Sequence, residues 1–180
     1  MIRGAVIFCA LAILFGPFYT DPGYDWTRHS ISELAGQATS NAWIMRVGLL
    51  SLGLACVVGF FRVRSQYNIF LLIFGVSIAL TGIFPHRPFD ADKEYSELLD
   101  QLHSWFASLG GFFAVLGFVY RTVQANSVSE KIVSASLASL YTLFSAAMFY
   151  WPEYLGVFQR VIFGSFIAWV LAYASTDGEE

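Results

Sequence analysis

Charge is what this chain has least of: 13% of its residues are Asp, Glu, Lys or Arg, where a water-soluble domain carries about 25%. With 57% of the 180 residues hydrophobic, the deficit makes lipid the solvent and leaves room for one integral membrane domain, 1–180. There is no basic cluster long enough to track phosphates and the net charge is −3, so nucleic acid is excluded as a partner. Cysteine is scarce as well. Cys9 and Cys56 lie inside apolar runs, where a thiol behaves as a small hydrophobe, and neither is assigned a redox or metal role. No HExxH, CxxC or single-helix HxxxH pair occurs. No small-x-small cleavage site follows the first apolar segment, Ala5 to Phe18 behind Arg3, so that segment is expected to stay as a helix. Nor is there the ten-residue alternation of a barrel strand.

What the chain does have is six apolar stretches, each near the ~20 residues a helix needs to cross the hydrocarbon layer. They predict an all-α transmembrane bundle with spans at roughly 3–20, 41–63, 67–85, 102–123, 132–151 and 154–174. Helices follow because backbone amides in lipid must be satisfied within the segment. The two long links, Asp21–Ser40 and His86–Gln101, both follow odd-numbered spans and so share one side. Arg3, Arg62, Arg64, Arg121 and Lys131 then face Arg28, Arg87 and Lys93 across the membrane. By the positive-inside rule both termini are cytoplasmic, both long loops lie outside, and the plasma membrane is the expected location. Trp43, Trp105, Trp151, Tyr24 and Tyr154 fall near the outer boundary as interfacial anchors. Small residues on the fourth span (Gly110, Gly111, Ala114, Gly117) and the fifth (Ser134, Ala135, Ala138, Ser139) allow close helix packing.

The ionisable groups collect on that outer side. His29 lies in the first loop, His86 at the end of the third span and His103 at the start of the fourth, so His86 and His103 reach one membrane level. With Asp25, Glu33, Asp90 or Asp100 nearby these are the imidazole and carboxylate ligand types that zinc favours, although interfacial histidines also cap helices and meet headgroups. A haem between His86 and His103 is disfavoured, because axial ligands must flank a macrocycle set in an apolar slot. Arg46 and Arg160 each sit inside an apolar span one to two turns below the outer surface. An intramembrane arginine usually faces inward towards a partner, here Glu33 or Glu153, or holds a lipid phosphate by its forked donors. The bland alternative is that both snorkel to the headgroups. Ser30-x-x-Glu33 is a capping box that opens a short interfacial helix ended by Gly36. It leaves Asp25, Arg28, His29 and Ser32 without an account, and a serine near a histidine in sequence is not evidence of a nucleophile.

Asp25-Trp-Thr-Arg-His-Ser-Ile-Ser-Glu-Leu, Trp43-Ile-Met-Arg46-Val-Gly48, Gly82-Ile-Phe-Pro85, Leu102-His103-Ser104 and Gln159-Arg160 resemble the integral-membrane family called domain of unknown function 998. The resemblance runs over nearly the whole chain and implies a multi-pass membrane fold with no established activity. Three histidines on one side also invite comparison with membrane hydrolases of the ceramidase and progestin-receptor superfamily. Those resemble seven-helix bundles with a paired HxxxH near the end, whereas the last two spans here hold no histidine.

Three functions compete. The first is a site open to the outer leaflet for a lipid headgroup or other small anionic ligand, with Arg28, Glu33, Arg46 and Arg160 as binding residues. The second is a metal-dependent hydrolase or lipid-modifying enzyme drawing on Asp25, His29, Asp90 and His103, with zinc on His29, His86 and His103 activating water. The third is a structural or partner-binding subunit. A transporter lacks the inverted repeat and the matching broken spans that would mark a midplane site.

Overall fold

The computed structural model describes residues 2–62 and 68–174, and every described element is helical. In chain order these are α1 (Ile2–Tyr19), a single-turn α2 (Ile31–Leu34), α3 (Ala42–Arg62), α4 (Ile69–Ile83), α5 (Glu97–Gln124), α6 (Val128–Tyr150) and α7 (Leu155–Trp169). A 3₁₀ turn at Pro152–Tyr154 precedes α7, and a π-helical turn at Val170–Ala174 continues it. Arg64, counted in the charge bias, lies outside the described residues.

Five of these helices, the last taken together with its flanking turns, are long and apolar enough to cross a membrane, and α4 is a shorter apolar helix. At 1.5 Å per residue α4 spans about 22 Å, less than the ~30 Å hydrocarbon layer. Its start is fixed by the Asn68 side chain, which accepts from the Phe70 and Leu71 amides while its own amide donates to Gly117 O. It stops at Ile83 because Phe84 precedes proline, where helical backbone is disfavoured. The expected span had run to Pro85. At the other extreme α5 begins at Glu97 rather than Leu102, with Glu97 and Asp100 in its first turn. Hydropathy marks where lipid ends, and an acidic first turn lets a helix continue past that point.

The five long helices and α4 pack in a ring, α1 on α3, α3 on α4, α4 on α5, α5 on α6, α6 on α7, with α7 returning to α1. The tightest crossing is α3 on α4. A Cβ added to Gly53 would fall on backbone atoms of Ala79 and Gly75, and one added to Gly75 would strike Cys56 Cβ and Gly53 O. Inside the ring Phe118, Phe166 and Trp169 meet edge-on or tilted with ring centres 5.2–6.1 Å apart, and Arg121, largely buried, lies over the Trp169 ring at 5.4 Å. The outer surface is the reverse of a soluble protein's: Phe18, Phe61, Leu143 and Phe149 are all exposed.

Alternation of direction puts the α1–α3 link, the α4–α5 link and the α6–α7 corner at one end of the bundle, here called the loop end. The α1–α3 link does not trail over the surface. Its α2 turn plugs the end of the ring between α3 and α7, with Ile31 and Leu34 buried. The capping box is present, Ser30 accepting from the Glu33 amide and Glu33 accepting from the Ser30 amide.

Candidate functional site

The loop end is organised around two arginines that hold backbone. Arg46, on the second turn of α3, donates from Nε to Ala35 O at 2.9 Å and from Nη2 to Gly36 O at 3.0 Å. These are carbonyls at the C-terminal end of α2, where cations are favoured and orphan acceptors need donors. Arg160, on α7, donates from Nη1 to Trp26 O, His29 O and Gly156 O at 2.8, 3.1 and 2.9 Å, and from Nη2 to the Tyr24 hydroxyl at 2.7 Å. Burial pushes the Tyr24 phenol up to about 12 against the opposing pull of Arg160. It therefore stays protonated, accepts from the guanidinium and donates to the Ser30 carbonyl at 2.9 Å. Gly156 lets the link come this close, since a Cβ there would collide with Trp26 O and His29 O.

The carboxylates expected to pair with these arginines are elsewhere. Glu33 serves the capping box, and Glu153 is exposed in the turn before α7, so it does not share a helix face with Arg160. Asp25 accepts from the Thr27 amide and hydroxyl, which hold its carboxyl below the ordinary carboxylate value. Asp90 accepts from the Asp92 amide within its own turn, and Arg28 is exposed. Lys93 Nζ bridges the two long links, donating to Asp21 Oδ2 at 2.7 Å and to Ala38 O at 2.8 Å. With Ser40 it holds the Asp21 carboxyl down to about 2, so that carboxylate stays ionised at neutral pH. Trp43, Trp105, Trp151 and Tyr154 are exposed, while Tyr24 is turned inward.

The histidines fall into two sets. His29 accepts the Asp25 amide at Nδ1, 2.9 Å away, and its ring packs 4.9 Å from Phe89 and 5.3 Å from Tyr24. His86 and His103 meet edge to face with ring centres 5.0 Å apart. His86 Nδ1 lies 3.1 Å from Asp100 Oδ1; burial lowers the pKa of this imidazole while Asp100 pulls it back up. His103 is fully buried. Its Nδ1 faces two oxygens that can only accept, Phe84 O at 2.8 Å and Thr81 O at 3.1 Å, so that nitrogen carries the proton. Nε2 is then the lone-pair nitrogen, and it accepts from Ser32 Oγ at 2.9 Å. Among the described residues no three of His, Cys, Asp and Glu come together as a metal-ligand set.

Ser32 also reaches a cavity of about 540 Å³ inside the ring, within the ~300–1,000 Å³ range of small-molecule sites. The cavity runs from Phe112 and Phe149, exposed on the membrane-facing surface of α5 and α6, inwards to buried Leu49 and Phe74. Its walls are mostly apolar, with Ser32, Thr81 and Gln159 at the loop end and Ser108, Tyr141 and Ser145 further along. Gln159 Oε1 accepts the Ile31 amide at 2.7 Å. Because an amide N–H can only donate, that bond fixes which way the side chain points and leaves Nε2 as the donor end. A second recess of about 580 Å³ lies between α1 and α7, lined by Leu14, Phe18, Trp26 and Arg160 among others.

Sequence reasoning missed the meeting of Ser32 with His103. It weighed Ser32 against His29, three residues away, whereas the partner is 71 positions on. The capping box was the available signal, since placing Ser30 at the cap turns Ser32 away from the capping bonds.

The family model for a protein of unknown function, DUF998, matches residues 4–176. No curated protein and no solved structure matches the chain.

Proposed function

The chain belongs to that DUF998 family, whose description assigns no activity, and from this premise we propose that it is a membrane protein that binds a lipid-like amphiphile within its helix ring. The observation that carries the reading is the cavity between α5, α6 and α7, mostly apolar along its length, with Ser32, Thr81 and Gln159 grouped where it meets the loop end. An acyl chain would enter between Phe112 and Phe149 and lie along Phe74 and Ile162, and a polar head would meet the hydroxyls and the Gln159 amide. The arginines support the site indirectly. Arg46 and Arg160 fix α2 and the preceding link, and those in turn present Ser32. The head group favoured at Ser32 is therefore uncharged, an ester or hydroxyl rather than a bare anion. A phosphate is better matched to the second recess, where Arg160 meets an apolar groove. Zinc fits less well, because His103 has both nitrogens engaged and His29 has Nδ1 engaged.

The test is to fill the cavity. Gly111 lines it, and a Cβ there meets nothing within 4 Å, so Gly111→Phe should occupy the space without moving the helices. Protein purified in mild detergent should carry a co-purifying lipid, seen by native mass spectrometry, that the variant lacks at unchanged melting temperature. Equal lipid content in both would refute the cavity as the binding site.

The proposal includes an orientation, with the loop end outside and both termini in the cytoplasm of a plasma-membrane protein. Arg3, Arg62, Arg121 and Lys131 at the opposite end support it. Both native thiols are buried, so an impermeant maleimide applied to whole cells should label Asp92→Cys and spare the parent. Labelling only after lysis would reverse the orientation.

A further inference from the structure

We propose that Ser32 is a nucleophile activated by His103, and that the pair cleaves the ester of an amphiphile lying in the cavity. The substrate class rests on the binding reading above, but the nucleophile rests on its own geometry. Three features that nucleophilic acyl transfer needs are found at the loop end of one cavity. Ser32 Oγ lies 2.9 Å from His103 Nε2, a base within hydrogen-bond reach. The opposite ring nitrogen is held 2.8 Å from Phe84 O and 3.1 Å from Thr81 O, which fixes the tautomer that leaves Nε2 free to take a proton. The Gln159 amide, oriented by its 2.7 Å bond from the Ile31 N–H, lines the same cavity and offers N–H donors for a developing oxyanion.

A bond made only to brace α2 would not need an open approach to the serine. Ser30, which does brace α2, is 2% exposed and has its hydroxyl committed to the Glu33 amide. The Ser32 side chain, two residues on, takes no part in the capping box and lines the cavity instead. The device is shared between distant segments: the serine comes from the first link, the base from α5, the orienting carbonyls from the end of α4, and the amide from α7.

The chemistry balances without metal or redox partner. Ser32 Oγ bonds to the ester carbonyl carbon as its proton passes to His103 Nε2, and the carbonyl oxygen takes the negative charge beside the Gln159 Nε2. Collapse breaks the bond to the alcohol oxygen, which leaves with the proton from His103, and the acyl group stays on Ser32. Water then repeats the sequence through the same base, releasing the acid and restoring the serine. A carbonyl orients the imidazole as a carboxylate would but supplies no full charge to stabilise the imidazolium, so a slow esterase is expected.

The test uses the full chain in detergent and a long-chain alkyl fluorophosphonate, with intact-mass and peptide analysis. One adduct per chain, mapped to Ser32, absent from Ser32→Ala and formed at least about a hundredfold more slowly in His103→Gln, is the expected result. Wild-type protein with an intact thermal transition and no Ser32 adduct would overturn the proposal, and that readout needs no variant to fold. An adduct whose rate ignores the change at His103, in a variant that retains the wild-type transition, would overturn it equally. Failure of the binding reading looks different. Ser32 would then react alike with short-chain and long-chain probes and be indifferent to Gly111→Phe, whereas retained lipid with an inert serine would remove the nucleophile and leave the binding site standing.

Discussion

Replacing Arg160 with alanine is expected to destabilise the protein by roughly 3 kcal/mol and to release the first loop from the bundle. One guanidinium satisfies the carbonyls of Trp26, His29 and Gly156 and the hydroxyl of Tyr24. Its loss removes the guanidinium from Trp26 O, Gly156 O and the Tyr24 hydroxyl and leaves His29 O only the Tyr24 hydroxyl at 3.1 Å, and an acceptor left unpaired where water does not reach it costs about 1–3 kcal/mol. Lysine restores the charge but not the planar fork, so Arg160→Lys should recover less than half of the loss. Thermal unfolding in detergent reports the stability. Limited proteolysis reports the loop, with new cleavage expected between Asp21 and Ser40. Because the same link carries Ser32, fluorophosphonate labelling should fall in parallel. An Arg160→Ala protein with wild-type melting and protease resistance would remove the arginine from its structural role and return it to the list of ligand-binding groups.

Gly53→Leu is expected to prevent the bundle from assembling. Bundles in lipid gain little from apolar burial between helices and depend on close packing. At Gly53 the backbones of α3 and α4 are close enough that even a methyl group would overlap Ala79 N and Gly75 O. A leucine would wedge the pair apart, and overpacking of this kind costs about 1–3 kcal/mol or more. Gly111→Leu is the matching control, since its added atoms enter open space. Size-exclusion profiles in detergent should show Gly53→Leu aggregating while Gly111→Leu elutes as wild type. A monodisperse, heat-stable Gly53→Leu would show that the α3–α4 crossing is not tight.

The fold was legible in the sequence because the membrane leaves one solution to the backbone. Six apolar runs give the six helices of the ring, five of them long enough to cross a membrane and α4 shorter, and Ser30 and Glu33 give the capped turn. Less visible were the ends, since the acidic first turn of α5 is helical although it lies beyond the apolar run. The closest helix contact was also hidden. Attention to small residues fell on the fourth and fifth spans, but Gly53 and Gly75, one on each of two helices, become a pair only when the crossing point is known.

The site was half legible. His86 and His103 sit at one level because antiparallel helices put them there, and their rings meet at 5.0 Å. Arg46 and Arg160 were marked as costly intramembrane charges in need of partners. Nothing in the sequence said those partners would be peptide carbonyls of a re-entering link, because carbonyls are present at every residue and carry no pattern. For the same reason the Ser32–His103 contact was invisible. It depends on how far α2 sinks between α3 and α7, a depth set by Leu34 packing against Gly16 and by Arg46 holding Ala35 O.

The most direct measurement of the central claim is to map what touches the far end of a bound lipid chain. A fatty-acyl ester carrying a photoreactive diazirine at its terminal carbon, irradiated with the protein in nanodiscs, should label the inward residues Leu49, Phe74 or Ile162. All three are buried and all three line the cavity. Labels confined to Phe18, Phe61 and Leu143 on the lipid-facing surface would contradict the account and leave the cavity empty of any chain.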